Sequence, residues 1–131
     1  MKIRIKGNSV RFRLTKTEVE LFCKQGQISE VTEFQSKKFY YALEIKSGIK
    51  SLQADFTNDT ITLFLPDSVQ TSWATDNVIG HSNEVDWNDK NTLSLLVEKD
   101  FTCLDNTIED QSDNYPNPKL SSEKSKKPSH L

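Results

Sequence analysis

The chain opens with two segments in which apolar and polar residues alternate. Lys2-Ile3-Arg4-Ile5-Lys6 and Val10-Arg11-Phe12-Arg13-Leu14 both have this period of two, which is that of a strand with one buried face. Gly7-Asn8 between them suits a two-residue hairpin turn, because glycine takes positive φ without steric penalty and asparagine tolerates it. Such a turn sets Lys6 opposite Ser9, Arg4 opposite Arg11 and Lys2 opposite Arg13. The period then changes. Thr15, with Glu18 three residues later, forms a capping box, and Gly26 supplies a stop, so residues between them are predicted helical. Leu14 and Val19 fit a hydrophobic staple. Val19, Phe22 and Cys23 recur on one face of the helix, while Lys16, Glu20 and Lys24 point outward.

From residue 28 the period of two returns. Strands are predicted over 28–34, 39–45, 51–56 and 60–65, separated by Ser36-Lys37-Lys38, Ser47-Gly48 and Asn58-Asp59. Such short links predict an antiparallel meander, with its core at Phe39, Tyr41, Leu43, Ile45, Leu52, Ala54, Phe56, Ile61, Leu63 and Leu65. Pro66-Asp67-Ser68 opens a short helix with Val69 and Trp73 as its apolar contacts. Residues 75–91, with His81, Glu84, Asp86 and Trp87, have weak periodicity and are predicted to be a loop holding a short strand around Val78-Ile79. Both tryptophans are expected in core or rim packing. Leu93, Leu95, Leu96 and Val97 make 92–99 a buried strand. No repeat is visible in the sequence. The expected fold is α+β: a mostly antiparallel sheet or partly closed β-barrel, one capped helix after the first hairpin and a second short helix. It forms a single domain over 1–118, followed by a polar, mobile tail over 119–131.

Composition narrows the possibilities. A length of 131 residues suits one domain. The sequence has no run of about 20 apolar residues, and its start goes straight into Lys2, Arg4 and Lys6 without an apolar signal core, so a cytoplasmic location is expected. Cys23 and Cys103 form no CxxC pair and are read as reduced thiols, Cys23 in the core. A net charge of -2 and a pI near 5.7 give no global attraction to nucleic acid or an anionic membrane. The distribution of charge is more informative. Residues 1–26 hold seven Lys or Arg against two Glu, and residues 76–113 hold ten Asp or Glu against Lys90 and Lys99.

The hairpin is the most specific constellation. Lys2, Arg4, Lys6, Arg11 and Arg13 form a basic row in which like charges face each other. Such pairs destabilise a hairpin unless an anion or acidic side chains answer them. One reading is a site for phosphate, carboxylate or an acidic protein surface. A second is internal pairing, with Glu30, Glu33 and Glu44 on neighbouring strands or with the segment from Glu98 to Asp113, and a third is simple solvated charge. Asp100, Cys103, Asp105, Asp110 and Asp113 are weak metal candidates, because their spacing matches no known metal-binding loop. No Gly-rich phosphate loop or GxSxG elbow is present, and His81 and His130 are the sole histidines. No catalytic residue and no cofactor are therefore assigned.

Alternating basic strands resemble those of the triphosphate tunnel enzymes, whose closed barrel points Lys, Arg and Glu inward at a polyphosphate and its metal ions. That family opens with an ExExK strand. Here the corresponding strand has no acid, and Glu44-Ile45-Lys46 is the nearest fragment. The opening MKIRIKGNSVRFRLTKTEVELF and the later LLVEKDFTCLDNTIEDQSDNYPNP resemble a family of small uncharacterised bacterial proteins, a domain of unknown function, over about residues 1–118. This resemblance implies a bacterial, cytoplasmic protein and transfers no catalytic residue. The leading expectation is a non-catalytic binding or interaction module whose basic sheet face meets an acidic partner or small anion. The alternatives are a metal-dependent enzyme acting on phosphorylated substrates and a structural component of a complex.

Overall fold

A computed structural model describes residues 1–101 and Tyr115. The elements are β1 (Lys2–Lys6), β2 (Ser9–Leu14), α1 (Lys16–Gln25), β3 (Gln27–Glu33), β4 (Lys38–Ile45), β5 (Gln53–Thr57), β6 (Thr60–Leu65), α2 (Asp67–Ser72), β7 (Gly80–Asn88) and β8 (Asn91–Lys99). They make two four-stranded sheets, a first in the order β1-β2-β8-β7 and a second in the order β3-β4-β6-β5. The fold is α+β and rich in sheet, and neither sheet closes into a barrel.

Alternation determines what each strand buries. Phe12 and Leu14 of β2, Leu95 and Val97 of β8, Leu43 of β4 and Leu63 and Leu65 of β6 meet Val19, Phe22, Val69 and Trp73 of the helical segments in one core. Removing each such side chain from water contributes about 1.5–3 kcal/mol. Phe12 and Tyr41 join the two sheets edge to face, their centroids 5.7 Å apart, and Asn83 donates to the Leu52 carbonyl at 2.9 Å.

The hairpin register is the expected one, with Lys2, Arg4 and Lys6 opposite Arg13, Arg11 and Ser9. The meander is not formed. β4 pairs with β6 in parallel, and β5 pairs with β6 on the far side. A two-residue turn at Asn58-Asp59, both at positive φ, folds β5 back on β6 and leaves β6 to take the inner position. Residues 75–91 are not mainly loop: β7 fills most of that span and pairs antiparallel with β8, while Val78 and Ile79 lie outside any strand. Phe56, expected in the core, is 67% exposed, and Trp87 is 62% exposed, whereas Trp73 is fully buried. Cys23 is only half-buried. The expected tail over 119–131 lies outside the described residues.

The element order ββαββ occurs twice, as β1-β2-α1-β3-β4 and β5-β6-α2-β7-β8. Exchanging the two halves leaves every strand pairing unchanged. The first hairpin of each half joins the second hairpin of the other, through parallel pairs that run from Ser9:Ser94 to Leu14:Lys99 and from Thr60:Tyr40 to Leu65:Ile45. Matching backbone bonds close both joints: Asp100 N–H donates to the Leu14 carbonyl at 2.8 Å, and Lys46 N–H to that of Leu65 at 2.9 Å. The repeat escapes the sequence because most equivalent positions differ in identity; Arg13 corresponds to Phe64, and Lys99 to Ile45.

Helix α1 is capped as predicted. The Thr15 hydroxyl accepts from Glu18 N–H at 3.3 Å, and the Glu18 carboxylate accepts from Thr15 N–H at 2.9 Å. Gly26 ends the helix at φ +80°, a conformation that costs other residues energy. Thr15→Ala is expected to lower stability by about 1 kcal/mol and Thr15→Ser by much less, measured by urea denaturation. Equal stability of the Ala variant and the parent would contradict the capping assignment.

Candidate functional site

Position on the first sheet follows from register. Three rows cross its outer face: Lys2-Arg13-Glu98-Gly80, Arg4-Arg11-Leu96-Ser82 and Lys6-Ser9-Ser94-Glu84. The hairpin turn and strand alternation thus bring all five predicted basic residues to one face. Inward positions hold Ile3, Val10, Phe12 and Leu14. This is the reverse of a tunnel enzyme's arrangement, in which the cations line the interior.

Two acids at the end of β8 answer part of this charge. One Glu98 oxygen, Oε2, lies 2.6 Å from Arg13 Nε and 3.6 Å from an Arg11 guanidinium nitrogen. The buried Asp100 carboxylate lies 3.4 Å from Lys2 Nζ and 3.9 Å from Arg13. Gly80 stands opposite Glu98, where a Cβ would come within 2.8 Å of the Val97 carbonyl and 3.0 Å of Glu98 Cβ, so glycine permits this close approach of β7 to β8. Of the two sets of internal partners expected, the β8 end supplies these. Glu30 instead pairs with the Met1 amino group at 3.0 Å, which Glu18 also contacts, and Glu44 accepts from Gln27 on the second sheet. Asp100 therefore serves as a counter-ion for Lys2 and Arg13. Cys103, Asp105, Asp110 and Asp113 lie outside the described residues, as does His130. Among the described residues no three His, Cys, Asp or Glu side chains converge on a point.

The positive charge exceeds what these acids balance. Arg4 and Lys6 make no ion pair among the described residues, and Arg11 shares its single acid with Arg13 at the longer distance. Lys2, Ile3, Arg4, Arg11 and Arg13 line a groove of about 340 Å³. Arg4 and Arg11 stand directly opposite each other in it with guanidinium donors left over among the described residues, an arrangement suited to planar, bidentate binding of carboxylate or phosphate.

The repeat provides an internal comparison. On the second sheet the positions equivalent to Lys2, Arg4, Lys6, Arg11 and Arg13 are Gln53, Asp55, Thr57, Thr62 and Phe64. The same strand arrangement therefore forms without a basic row. Glu44, equivalent to Glu98, is present there with no arginine beside it.

A second polar cluster lies inside, at the end of β8, and its sequence signal was slight. Lys99 occupies the core position that the second sheet fills with Ile45. Its ammonium donates to the Asp76 carbonyl at 2.9 Å, approaches the Asp76 carboxylate at 3.5 Å and sits over the Trp73 and Tyr115 rings at 5.8 and 5.1 Å. A buried ammonium so surrounded is satisfied by a carboxylate, a carbonyl and two aromatic faces. His81 packs its ring edge to face on Trp73, 5.1 Å between centroids, and its buried Nε2 has no partner among the described residues. Burial pushes His81 below the ordinary imidazole value, with the nearby Asp76 opposing the shift and Lys99 adding to it. Burial likewise raises the Cys23 thiol, with Asp76 adding to the rise, so Cys23 is an inert thiol at neutral pH.

A family model described as a family of unknown function, DUF7009, matches residues 1–119. No curated protein and no solved structure matches the chain. Among the described residues no helix is long and apolar enough to cross a membrane.

The depressed His81 carries a pH prediction. The unfolded chain takes up the histidine proton as pH falls below 6.5, and the folded chain does so only at lower pH. The folded state thus loses stability as pH falls through that window. Urea midpoints at pH 7.5 and 5.5 are expected to differ more for the parent than for His81→Phe, which keeps a ring against Trp73. Identical pH dependence in the two proteins would contradict the assignment.

Proposed function

The chain belongs to the DUF7009 family, whose function is unknown, and from that premise we propose that it is a small, non-catalytic binding module. Its basic outer face receives an acidic protein surface or a small anion, held between Arg4, Arg11 and Arg13. Lys2 and Lys6 border the site and raise the local potential.

The comparison between the sister sheets carries this reading. Opposed cations cost a hairpin stability. The second sheet forms the same pairings with none at the equivalent positions, so the fold does not require them. A cost retained on one sheet and absent from its twin fits a face kept for an incoming anion. Glu98 then acts as an internal placeholder: it orders Arg13 and Arg11 and competes with the ligand for them. The resemblance to small bacterial proteins and the reduced thiol at Cys23 support a cytoplasmic bacterial setting.

The test is thermal unfolding with pyrophosphate, inorganic phosphate and polyglutamate. These ligands are expected to raise the melting temperature of the parent in a concentration-dependent way. Arg4→Thr should melt at or above the parent temperature without ligand, because one like-charge pair is relieved, and should lose most of the ligand-induced rise. Glu98→Gln removes the competing charge and is expected to tighten anion binding by up to about tenfold, or 1.4 kcal/mol. No rise with any anion, or the same rise in Arg4→Thr, would overturn the proposal. A parallel assay for triphosphate or nucleotide hydrolysis with magnesium or manganese should show none; turnover abolished by Arg11→Thr would make the face an active site instead.

A further inference from the structure

We propose that the edge of β1 facing away from β2 takes up an extended peptide strand in which acidic and apolar side chains alternate. This rests on the reading above and specifies the partner.

Strand β1 ends the first sheet. Its two-residue turn makes Lys6:Ser9 the hydrogen-bonded pair next to the loop, and the alternation carries this to Arg4:Arg11. The backbone groups of Ile3 and Ile5 therefore point away from β2, toward the outer edge of the sheet. Among the described residues nothing outside the hairpin makes a backbone bond to either. An edge left unpaired by the described residues is a template for another strand, with main-chain bonds giving affinity and pockets for alternate side chains giving specificity.

The two flanks of β1 differ in chemistry. On the outer side lies the groove with Arg4 and Arg11. On the inner side, between the two sheets, an apolar gap of about 280 Å³ is lined in part by Ile5, Val10, Ala54, Phe56, Ile61 and Leu93. Ile5 is 56% exposed at its mouth, facing the exposed Phe56. A strand laid along β1 continues the pleat, so its side chains fall alternately beside the arginines and beside this gap. Acidic residues suit the first position and Val, Ile or Leu the second.

Charge also selects the partner. Lys2, Arg4 and Lys6 along β1 repel a second copy of the same edge, as charged edge strands do. They attract an acidic one.

The test is fluorescence anisotropy of a labelled peptide alternating glutamate and valine, titrated with the full chain at low salt. Binding is expected, with loss of at least about tenfold on N-methylating alternate peptide amides, which removes edge hydrogen bonds and leaves charge unchanged. A lysine-valine peptide should not bind, and Ile5→Glu should weaken the acidic peptide. If the N-methylated peptide binds as tightly as its parent while pyrophosphate still raises the melting temperature, edge addition fails and the anion face stands. If neither peptide nor pyrophosphate binds, both fail. A dimer in sedimentation that Ile5→Glu dissolves would make the occupant a second copy and overturn the peptide proposal.

Discussion

Two parallel joints, β2 with β8 and β4 with β6, hold this domain together, and the first of them creates the candidate site. It unites residues 9–14 with residues 94–99, nearly the full described length apart. On the inner face it lays Phe12 beside Val97 and Val10 beside Leu95, which seeds the shared core. On the outer face the same register delivers Glu98 to Arg13, and Asp100 follows where its amide bonds the Leu14 carbonyl. One backbone arrangement thus places both the core and the counter-ions. Contacts so distant in sequence carry a large loop-closure cost, which the apolar face must offset before any charge pairing matters.

The ion pairs are a consequence of that joint and add little to its stability. These pairs are partly buried, so desolvation offsets much of their attraction, and one carboxylate serving both Arg11 and Arg13 leaves donors over among the described residues. Their effect is on orientation: Glu98 and Asp100 fix Arg13, and the hairpin fixes Arg4 against Arg11. The second sheet reaches the same pairing with Asp55, Thr62 and Phe64 in the equivalent places. Fold and charge are separable here, which is the physical ground for reading the charge as function.

Much of the local structure was legible in the sequence. The hairpin register followed from strict alternation about Gly7-Asn8, and α1 from the Thr15-Glu18 box and Gly26. Strand β7 was hidden because two of its inward positions are polar: His81 rests on Trp73, and Asn83 bonds the Leu52 carbonyl, so the apolar period fails although the strand is buried on one side. The β4:β6 pairing was hidden because a short link suggests neighbours, and here β5 folds back outside β6. The site was half legible. Alternation put the basic residues together and suggested the segment after Glu98 as an answer. Only the parallel register could single out Glu98 and Asp100, and only the repeat could show that the basic row is dispensable to the fold.

The central claim is that the outer face of the first sheet binds anions at a site centred on Arg4 and Arg11, whose charge no acid among the described residues fully balances. Arginine Nε–H and backbone NMR shifts recorded during a pyrophosphate titration test it most directly. Saturable shifts are predicted at Arg4, Arg11 and Arg13 and at the Glu98 amide, with the outer face of the second sheet, at Thr62 and Phe64, unmoved. Shifts spread over both sheets, or none at Arg4 and Arg11, would contradict the account.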